Sequence, residues 1–381
     1  MKVTVVCDVL GEENNGTTVA AMNLIRHLKS KGHELTVVCP DEDRRGEEGF
    51  VCTGIRNLGP LNGYVRKNGV TLAKVDRRLL RAAVSGAEVI HLLTPFPLSW
   101  AAIGLAEELN IPVTASFHCQ AENFSSHVFM KNSKAFNRGV YKVFYKKVFS
   151  RCAAVHYPTE FIRRTFEESV GCKTNAYVIS NGVNGIFTRC DCERPEPLRG
   201  KKVVVFSGRY SPEKRHDILI KAAALSRYKE ELQLVFAGAG PLKKKLSRQA
   251  ERYGILPPIF SFFSRTELVK VLNTADLYVH PAEIEIEAIS CLEAISCGLV
   301  PVISDSERSA TKYFAIGEDN LFKVNDPGDL ARKMDFWLSH PEEKERCRNE
   351  YAGFASTVDQ LACMNRMEQM LLDAASGGAK R

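Results

Sequence analysis

Short runs of β-branched and apolar residues alternate with longer segments of helical periodicity along almost the whole chain, and this alternation constrains the fold more than any other feature. Such a pattern is typical of βαβ units, in which helices join parallel strands. With 381 residues the chain is too long for one compact core, because single cores stop growing at roughly 250–300 residues. We therefore expect an α/β protein with two doubly wound, Rossmann-like domains that face each other across a cleft.

The runs predict two series of strands, separated by the proline-rich and charged stretch RCDCERPEPLRGKK, whose composition is typical of an exposed linker. We predict an N-terminal domain over 1–188, a linker over 189–201 and a second domain over 202–356. A helical segment follows over 357–381, and a return to the N-terminal domain is one option for it. The predicted strands are Val3–Cys7, Leu35–Cys39, Val89–Leu93, Val113–Ser116, Ala153–His156, Ala176–Ile179, Lys202–Ser207, Leu232–Ala237, Leu277–His280 and Val300–Ser304. The predicted helices include Thr17–Ser30, His216–Leu225, Leu242–Tyr253 and Glu287–Ser296.

The cysteines and the N-terminus indicate a cytoplasmic protein. The 12 cysteines are spread without a C-x-x-C pair, and Cys190 and Cys192 are too close together for a zinc ribbon. We therefore expect reduced thiols and no metal site. The start, MKVTVVCDVL, is typical of a first strand and not of a signal peptide. No run of about 18 apolar residues is present, so any membrane contact should be peripheral.

The segment FSGRYSPEKRHDILIKA has the form of a phosphate-binding turn. A predicted strand ends at Gly208, and Arg209 and Lys214 flank a turn that precedes a helix. Free N–H groups at a helix start and two cations beside them can hold a diphosphate. The alternative is a solvated basic turn, because the segment is polar throughout.

The segment HPAEIEIEAISCLEAISCG places Glu285 in a loop and Glu293 in the following helix, with seven residues between them. A carboxylate can accept hydrogen bonds from neighbouring hydroxyls of a sugar or ribose. The alternative is that Glu283, Glu285 and Glu287 alternate with isoleucines because an edge strand exposes one face. Glu293 fits that alternative poorly, because it lies on a largely apolar helix.

Three further positions lie where ligands are expected in an open α/β sheet. Gly238 and Gly240 follow a predicted strand and permit close approach of a nucleotide, although a simple tight turn is the favoured explanation for them. Gly16 precedes the first helix in a comparable way. His118 ends a predicted strand at its carboxyl end, and a structural role is the alternative for it.

Together these residues resemble the retaining GT-B glycosyltransferases often called family 4, and the resemblance extends over nearly the whole chain. One three-residue segment departs from the family pattern: Glu287, Ala288 and Ile289 stand where the family usually has phenylalanine, glycine and leucine. The motifs that carry the resemblance are Gly32–His33, His118, Asn181–Gly182, Arg209 with Lys214, Gly238 with Gly240 and Pro241, Asp276, and Glu285 with Glu293.

The resemblance implies a role for each of these residues. Arg209 and Lys214 would bind the donor diphosphate, Glu293 the ribose and Glu285 the transferred sugar. His118 would contact that sugar from the other domain. His118, Arg209, Lys214 and Glu285 are thus the predicted catalytic residues. The predicted donor site consists of Gly16, Gly208, Arg209, Lys214, Gly238, Gly240, Glu285, Ala288, Ile289 and Glu293.

Two cations can neutralise the departing diphosphate. We therefore predict a metal-independent enzyme with no cofactor beyond its nucleotide-sugar co-substrate, a UDP-hexose. Retention of the anomeric configuration is implied by the resemblance alone.

A cationic segment suggests where an acceptor is met. No Asp or Glu occurs between Asn123 and Thr159, whereas aromatic residues and cations recur at helical spacing. A helix of this kind can lie on an anionic bilayer. The alternative is an amphipathic helix whose aromatic stripe faces the core, and nucleic acid is not expected because no recognition motif accompanies the charge. The predicted membrane-surface residues are Lys131, Lys134, Arg138, Lys142, Lys146 and Lys147.

Three segments are most similar to diacylglycerol glucosyltransferases: IEIEAISCLEAISCGLVPVIS, the PFPL that follows His91, and the loop HCQAENF. The leading hypothesis is therefore hexosyl transfer from UDP-glucose or a similar donor to a membrane lipid such as diacylglycerol, at the inner membrane face. The same donor chemistry with a soluble or polyprenyl-linked saccharide acceptor is the main alternative. A nucleotide-sugar epimerase and a catalytically silent nucleotide-binding module are two others.

Overall fold

A computed structural model describes residues 1–11, 16–57, 59, 62, 72–126, 130 and 133–377 of the chain. The chain divides into two compact units. The first contains Met1–Asn181 together with the chain from Ala362 onward, and the second contains Gly182–Leu361. Each unit has one parallel sheet covered by helices, which confirms the prediction of two Rossmann-like domains.

The sheet of the first unit has the strand order β3-β2-β1-β4-β5-β6-β7, and all its strand pairs are parallel. The strands are β1 Lys2–Val6, β2 Glu34–Cys39, β3 Phe50–Cys52, β4 Val89–Leu92, β5 Val113–Ser116, β6 Ala154–Tyr157 and β7 Ala176–Val178. The described helices are α1 Gly16–Ser30, α2 Arg77–Val84, α3 Pro97–Leu109, α4 Ala121–Ser126, α5 Lys134–Lys147 and α6 Glu160–Val170.

The central strands of this sheet are buried along their whole length. Every residue of β4, β5 and β6 is buried, as expected for parallel strands with helices on both faces. Apolar side chains of α1 pack on the sheet, including Leu24, Ile25 and Leu28. The carboxyl ends of these strands therefore lie at one edge of a rigid layer.

The last helix of the chain, α13 Gln360–Ala375, packs into the core of the first unit. Met364, Met367, Met370 and Leu371 belong to the same apolar cluster as the residues of β1 and α1. The Glu368 carboxylate adds two polar contacts, at 2.9 Å from His27 Nε2 and 2.8 Å from His33 Nε2.

The sheet of the second unit has the strand order β10-β9-β8-β11-β12-β13, again with parallel pairs. Its strands are β8 Lys202–Ser207, β9 Leu232–Ala237, β10 Ile259–Ser261, β11 Leu277–His280, β12 Pro301–Ser304 and β13 Leu321–Phe322. Its helices are α7 His216–Leu225, α8 Lys243–Tyr253, α9 Arg265–Thr274, α10 Ile289–Ser296, α11 Pro327–Ser339 and α12 Pro341–Ala355.

Candidate functional site

A loop between β8 and α7 carries both predicted diphosphate ligands. Its start is fixed to the neighbouring strand, because Gly208 N–H donates to Ala237 O and Tyr210 N–H donates to Ala239 O, both at 2.9 Å. The buried Tyr210 hydroxyl donates to Phe236 O at 2.8 Å. The loop ends in a 3-10 turn over Pro212–Lys214, so Arg209 and Lys214 project from a backbone held on both sides.

The two glycines after β9 are required by the packing of this loop. A Cβ at Gly238 would lie 2.2 Å from Gly208 O, and a Cβ at Gly240 would lie 2.6 Å from Tyr210 N. The backbone of the Gly208–Tyr210 segment therefore makes the close approach that we predicted a nucleotide would make. A donor contact at Gly238 and Gly240 stays a prediction, because the approach of the Gly208–Tyr210 backbone already explains why both positions need glycine.

Lys214 and Glu285 are brought together at the carboxyl ends of β8 and β11. Lys214 Nζ donates to Glu285 Oε1, and His280 Nε2 lies 3.1 Å from the same oxygen. Burial raises the pKa of the Glu285 carboxyl, but Lys214 and His280 outweigh it and lower that pKa to about 2. Glu285 is thus a carboxylate that can only accept hydrogen bonds at neutral pH.

Arg209 lies beside a carboxylate that the sequence analysis did not select. Its Nη2 is 3.6 Å from Glu213 Oε1, which also accepts from the Ser211 hydroxyl. The Glu213 carbonyl accepts the N–H of Glu283 at 2.8 Å and so joins the two loops of the site. Glu213 lies one residue before Lys214, and only its place in the turn could have indicated this role.

The acidic loop is not an edge strand with one exposed face, which corrects the alternative considered for it. Glu283 and Glu287 are buried, at 5% and 4% exposure. Arg215 Nη1 and Arg308 Nη2 lie 3.6 and 3.3 Å from the Glu283 carboxylate. The burial of Glu283 is therefore compensated by two cations, as buried carboxylates require.

The backbone of Glu285 is anchored independently of its side chain. Its N–H donates to Arg308 O at 3.4 Å, and its carbonyl accepts from Ala310 N–H at 2.9 Å. Three residues later, Ala288 has a φ of 47°, in the left-handed region, and Ile289 begins α10. The position at which the family pattern has glycine thus keeps a backbone conformation that favours glycine.

Glu293 lies half-buried on α10 and differs from Glu285 in its electrostatics. Burial raises the pKa of its carboxyl to about 8, and Arg265 opposes this rise only in part. At neutral pH the group is mostly protonated and can donate as well as accept a hydrogen bond. Both behaviours suit a pair of ribose hydroxyls.

In the first unit, His118 follows β5 and is half-buried against the ring of His156, with 5.8 Å between the ring centroids. Burial, with His156 and His91 nearby, lowers the pKa of His118 well below its usual value. His118 is therefore a neutral imidazole. Gly16 is the exposed first residue of α1.

The basic segment forms helix α5, with its aromatic stripe inside. Tyr141 and Phe144 are buried, as the core-facing alternative required. Tyr141 donates its hydroxyl to Glu122 at 2.8 Å, which ties α5 to α4. Lys131 lies outside the described residues. The exposed cations are Lys134, Arg138, Lys142, Lys146 and Lys147.

Within the described part of the chain, no helix is both long and apolar enough to cross a membrane.

Comparisons with known proteins agree on one family. The family described as "Glycosyltransferase Family 4" matches residues 14–184, and "Glycosyl transferases group 1" matches residues 193–352. A GDP-mannose-dependent alpha-mannosyltransferase of Corynebacterium glutamicum is 27% identical, over 97% of this chain and 88% of the relative. An alpha-monoglucosyldiacylglycerol synthase of Streptococcus pneumoniae is 25% identical, over 80% of this chain and 71% of the relative.

A solved structure, of Anabaena HepE in complex with UDP-glucose, superposes with a TM-score of 0.76 at 16% identity and covers 98% of this chain and 100% of that one. At this identity the likeness concerns the fold alone, and it agrees with two parallel-sheet domains.

Proposed function

The chain belongs to family 4 of the GT-B glycosyltransferases and transfers a sugar, and from this premise we propose that it moves a hexose from UDP-glucose or a similar donor to a membrane lipid such as diacylglycerol. The observation that carries the donor half of this proposal is the contact of Lys214 and His280 with one oxygen of the ionised Glu285. It places a cation and a carboxylate at the carboxyl ends of parallel strands, where ligands of such sheets bind.

Each group of the site has a distinct task in this proposal. Arg209 and Lys214 stabilise the negative charge that develops on the departing diphosphate, which is the largest electrostatic demand of the reaction. Glu285 accepts hydrogen bonds from hydroxyls of the transferred sugar, and Glu293 binds the ribose. N–H groups in the first turn of α10 are not used within the helix, so Ala288 and Ile289 can offer theirs to the donor.

Gly208, Gly238, Gly240 and Gly16 complete the proposed donor site through their backbones, and His118 is proposed to contact the sugar as a neutral imidazole. Retention with attack on the face that the phosphate leaves is taken from the family. The cations of the site are the reason to propose that no metal is needed.

The acceptor half rests on the exposed cations of α5. Lys134, Lys142 and Lys146 are exposed and form no salt bridge with any described residue, and Lys147 Nζ lies 5.7 Å from the centroid of the Trp100 ring. A surface with several exposed cations is attracted to anionic lipid headgroups. A relative whose name is that of a glucosyldiacylglycerol synthase supports the same acceptor class. We therefore propose a cytoplasmic protein that is peripheral at the inner membrane face.

The test is mass spectrometry of the products formed from a donor panel, including UDP-glucose and GDP-mannose, with liposomes that contain diacylglycerol. A hexosyl lipid is the expected product, and donor hydrolysis without any lipid product would overturn the acceptor proposal. Glu285→Gln should lower turnover at least about a hundredfold, because it removes a charge from the reacting centre. Unchanged turnover would remove Glu285 from the site.

A second candidate keeps the donor chemistry and uses a soluble or polyprenyl-linked saccharide as acceptor. The name of the mannosyltransferase relative specifies GDP-mannose as its donor and no acceptor, so it bears on the choice of donor in either candidate. A saccharide product formed without liposomes would select this candidate over the first, and consumption of GDP-mannose without consumption of UDP-glucose would identify the donor in either case.

A further inference from the structure

A chain of hydrogen bonds leads from the interior of the second unit to the Glu285 carboxylate. His280, the last residue of β11, is fully buried, with Nε2 at 3.1 Å from Glu285 Oε1 and Nδ1 at 3.2 Å from the Tyr278 hydroxyl. The same hydroxyl lies 3.2 Å from Ser290 Oγ, in the first turn of α10. None of these three residues was selected from the sequence, although His280 and Ser290 lie within the segment HPAEIEIEAISCLEAISCG.

The chemistry of the neighbours decides which atoms carry protons. Glu285 is ionised because its pKa is lowered to about 2, so it can only accept. Burial lowers the pKa of His280, so the ring is neutral and has one N–H. That proton must be on Nε2, which faces the carboxylate, and Nδ1 is then an acceptor. Burial raises the pKa of Tyr278, so its hydroxyl keeps its one proton, for which Ser290 Oγ and His280 Nδ1 are both acceptors at 3.2 Å.

We propose that His280 is a positioning residue for sugar transfer: with Nε2–H facing the ionised Glu285 and Nδ1 facing the Tyr278 hydroxyl, it fixes the orientation of the Glu285 carboxylate towards the transferred sugar. This inference rests on the proposed role of Glu285 in the transfer reaction. Lys214 also binds Glu285 Oε1, but its long side chain has freedom that the buried imidazole lacks. The rigid partner therefore defines where the carboxylate points.

The inference is tested with His280→Leu and His280→Gln, because glutamine can place a donor near the position of Nε2 and leucine cannot. Turnover of UDP-glucose or GDP-mannose should fall roughly tenfold to a hundredfold in the leucine variant, as expected when a hydrogen bond to a charged group is lost. The glutamine variant should recover most of it. Binding of UDP and GDP, which lack the sugar, should be unchanged, whereas a merely structural defect would weaken it.

Tyr278→Phe keeps the buried ring and tests the tautomer if the leucine variant does not fold. It should lower turnover of the same donors with unchanged affinity for UDP and GDP. Equal turnover in all three variants and the wild type would overturn the positioning role.

A double-mutant cycle separates this inference from the proposed function. In a Glu285→Gln background, His280→Leu should have little further effect, because both changes act through one carboxylate. Strongly reduced turnover in Glu285→Gln, with a further and independent reduction of turnover when His280→Leu is added, would reject the positioning role and keep the proposed function. Full activity of Glu285→Gln itself would reject both.

An independent feature is a cavity of about 350 Å³ at the start of the second unit, behind α10. Three cysteines line it: Cys190, Cys192 and Cys297. Cys190 Sγ and Cys192 Sγ are 3.3 Å apart, with Cys190 exposed and Cys192 half-buried. The segment is held in place, because Cys190 N–H donates to Asn273 Oδ1 at 2.8 Å.

We infer that Cys190 and Cys192 form a redox-modification site that closes to a disulfide by exchange with a small-molecule disulfide such as oxidised glutathione. A thiolate of the pair attacks the disulfide and releases one glutathione, and the second cysteine then displaces the other. The net step breaks one S–S bond, forms the Cys190–Cys192 bond and moves both protons to the two released thiols. The hydrogen bond with Cys192 raises the pKa of Cys190, so exchange should be faster at higher pH.

The full chain is incubated with oxidised glutathione, its remaining thiols are alkylated, and its peptides are analysed by mass. Cys190 and Cys192 should lose both alkylation sites without retaining glutathione. Cys172, the other exposed cysteine, should keep a mixed disulfide with glutathione. Cys192→Ser should trap glutathione on Cys190. A stable mixed disulfide on Cys190 in the unaltered chain, or two free thiols there when Cys172 has reacted, would overturn the inference.

Discussion

Glu285 and Glu293 belong to one loop and helix, yet their surroundings move the two carboxyl pKa values in opposite directions. Burial raises both pKa values, but only Glu285 has Lys214 and His280 within contact. Its pKa falls to about 2, whereas that of Glu293 rises to about 8. The proposed donor site thus has an ionised carboxylate at Glu285 and, at Glu293, a neutral carboxyl that can both donate and accept a hydrogen bond.

The raised pKa of Glu293 predicts how stability depends on pH. A carboxyl that is held neutral in the fold opposes folding once the unfolded chain ionises, so the wild type should lose stability as pH rises from about 4.5 to about 8. Glu293→Gln should remove that loss and should melt at a higher temperature than the wild type at pH 8. Melting curves over this range give the measurement, and parallel curves for both proteins would contradict the assigned pKa.

Ala288 provides a second prediction for a single residue. A left-handed φ of 47° costs an L-residue about 1–2 kcal/mol, and glycine avoids this strain but gains about 0.4–1 kcal/mol of unfolded-state entropy. Ala288→Gly should therefore raise the free energy of unfolding by up to about 1 kcal/mol. Ala294→Gly, in the regular interior of the same helix, should lower it by about 1 kcal/mol. Denaturant unfolding of both variants measures this, and a loss at both positions would contradict the strain.

Some residues of the site were within reach of sequence reasoning and others were not. Arg209 and Lys214 could be selected because a strand, a turn and a helix start are local signals. Glu213 and His280 could not, although their side-chain partners are near in sequence, because the sequence does not show which way a side chain in a turn or at a strand end points. For Gly238 and Gly240, the sequence indicated that some group approaches the backbone closely. Only the structure shows that this group is the Gly208–Tyr210 backbone.

At the scale of elements, α13 is fixed to the first unit by one carboxylate and two imidazoles. Burial raises the pKa of Glu368, but His33 and His27 outweigh it and leave the pKa below its usual value. Glu368→Gln should lower the free energy of unfolding by about 2 kcal/mol, as for hydrogen bonds to a charged group. The stabilisation is present above the ordinary pKa of 4.5 and is lost as pH falls through the lowered value.

The matched control for Glu368 is Gln369→Ala, at an exposed position of the same helix, where a change of less than about 0.5 kcal/mol is expected. Urea unfolding of both variants at neutral and acidic pH tests the assignment. The difference between Glu368→Gln and the wild type should shrink below pH 4.5, and a constant difference would show that the contacts of the ionised Glu368 carboxylate with His27 and His33 contribute nothing.

The central strands were predictable, and of the four short edge strands only β7 was predicted. Val113–Ser116, Lys202–Ser207, Leu232–Ala237 and Leu277–His280 have the predicted bounds, because buried parallel strands are continuous apolar runs. The strands β3, β10 and β13 were missed. Each has only two or three residues at or near the edge of its sheet, which is too short for a periodic signal to emerge.

For the whole molecule, the net charge of +7 says less than the distribution of the cations. Several helices carry exposed cations, among them α5 in the first unit and α8 in the second, where Lys243, Lys244 and Lys245 are exposed. The proposed membrane contact requires the first of these surfaces and not the second. Changing three lysines to glutamate in either helix alters the net charge of the protein by the same amount, so the two variants can be compared directly.

The variant Lys142→Glu with Lys146→Glu and Lys147→Glu should bind vesicles containing phosphatidylglycerol roughly tenfold or more weakly than the wild type, because each cation near an anionic surface contributes about 1 kcal/mol. The matched change of Lys243, Lys244 and Lys245 to Glu should leave binding nearly unaltered. Flotation at low and physiological salt measures both, with phosphatidylcholine vesicles as the uncharged reference. Equal weakening in the two variants would mean that the attraction is a property of total charge and that α5 is no docking surface. Weakening confined to the α5 variant, with donor turnover on a detergent-dispersed lipid unchanged, would place the acceptor membrane at this helix.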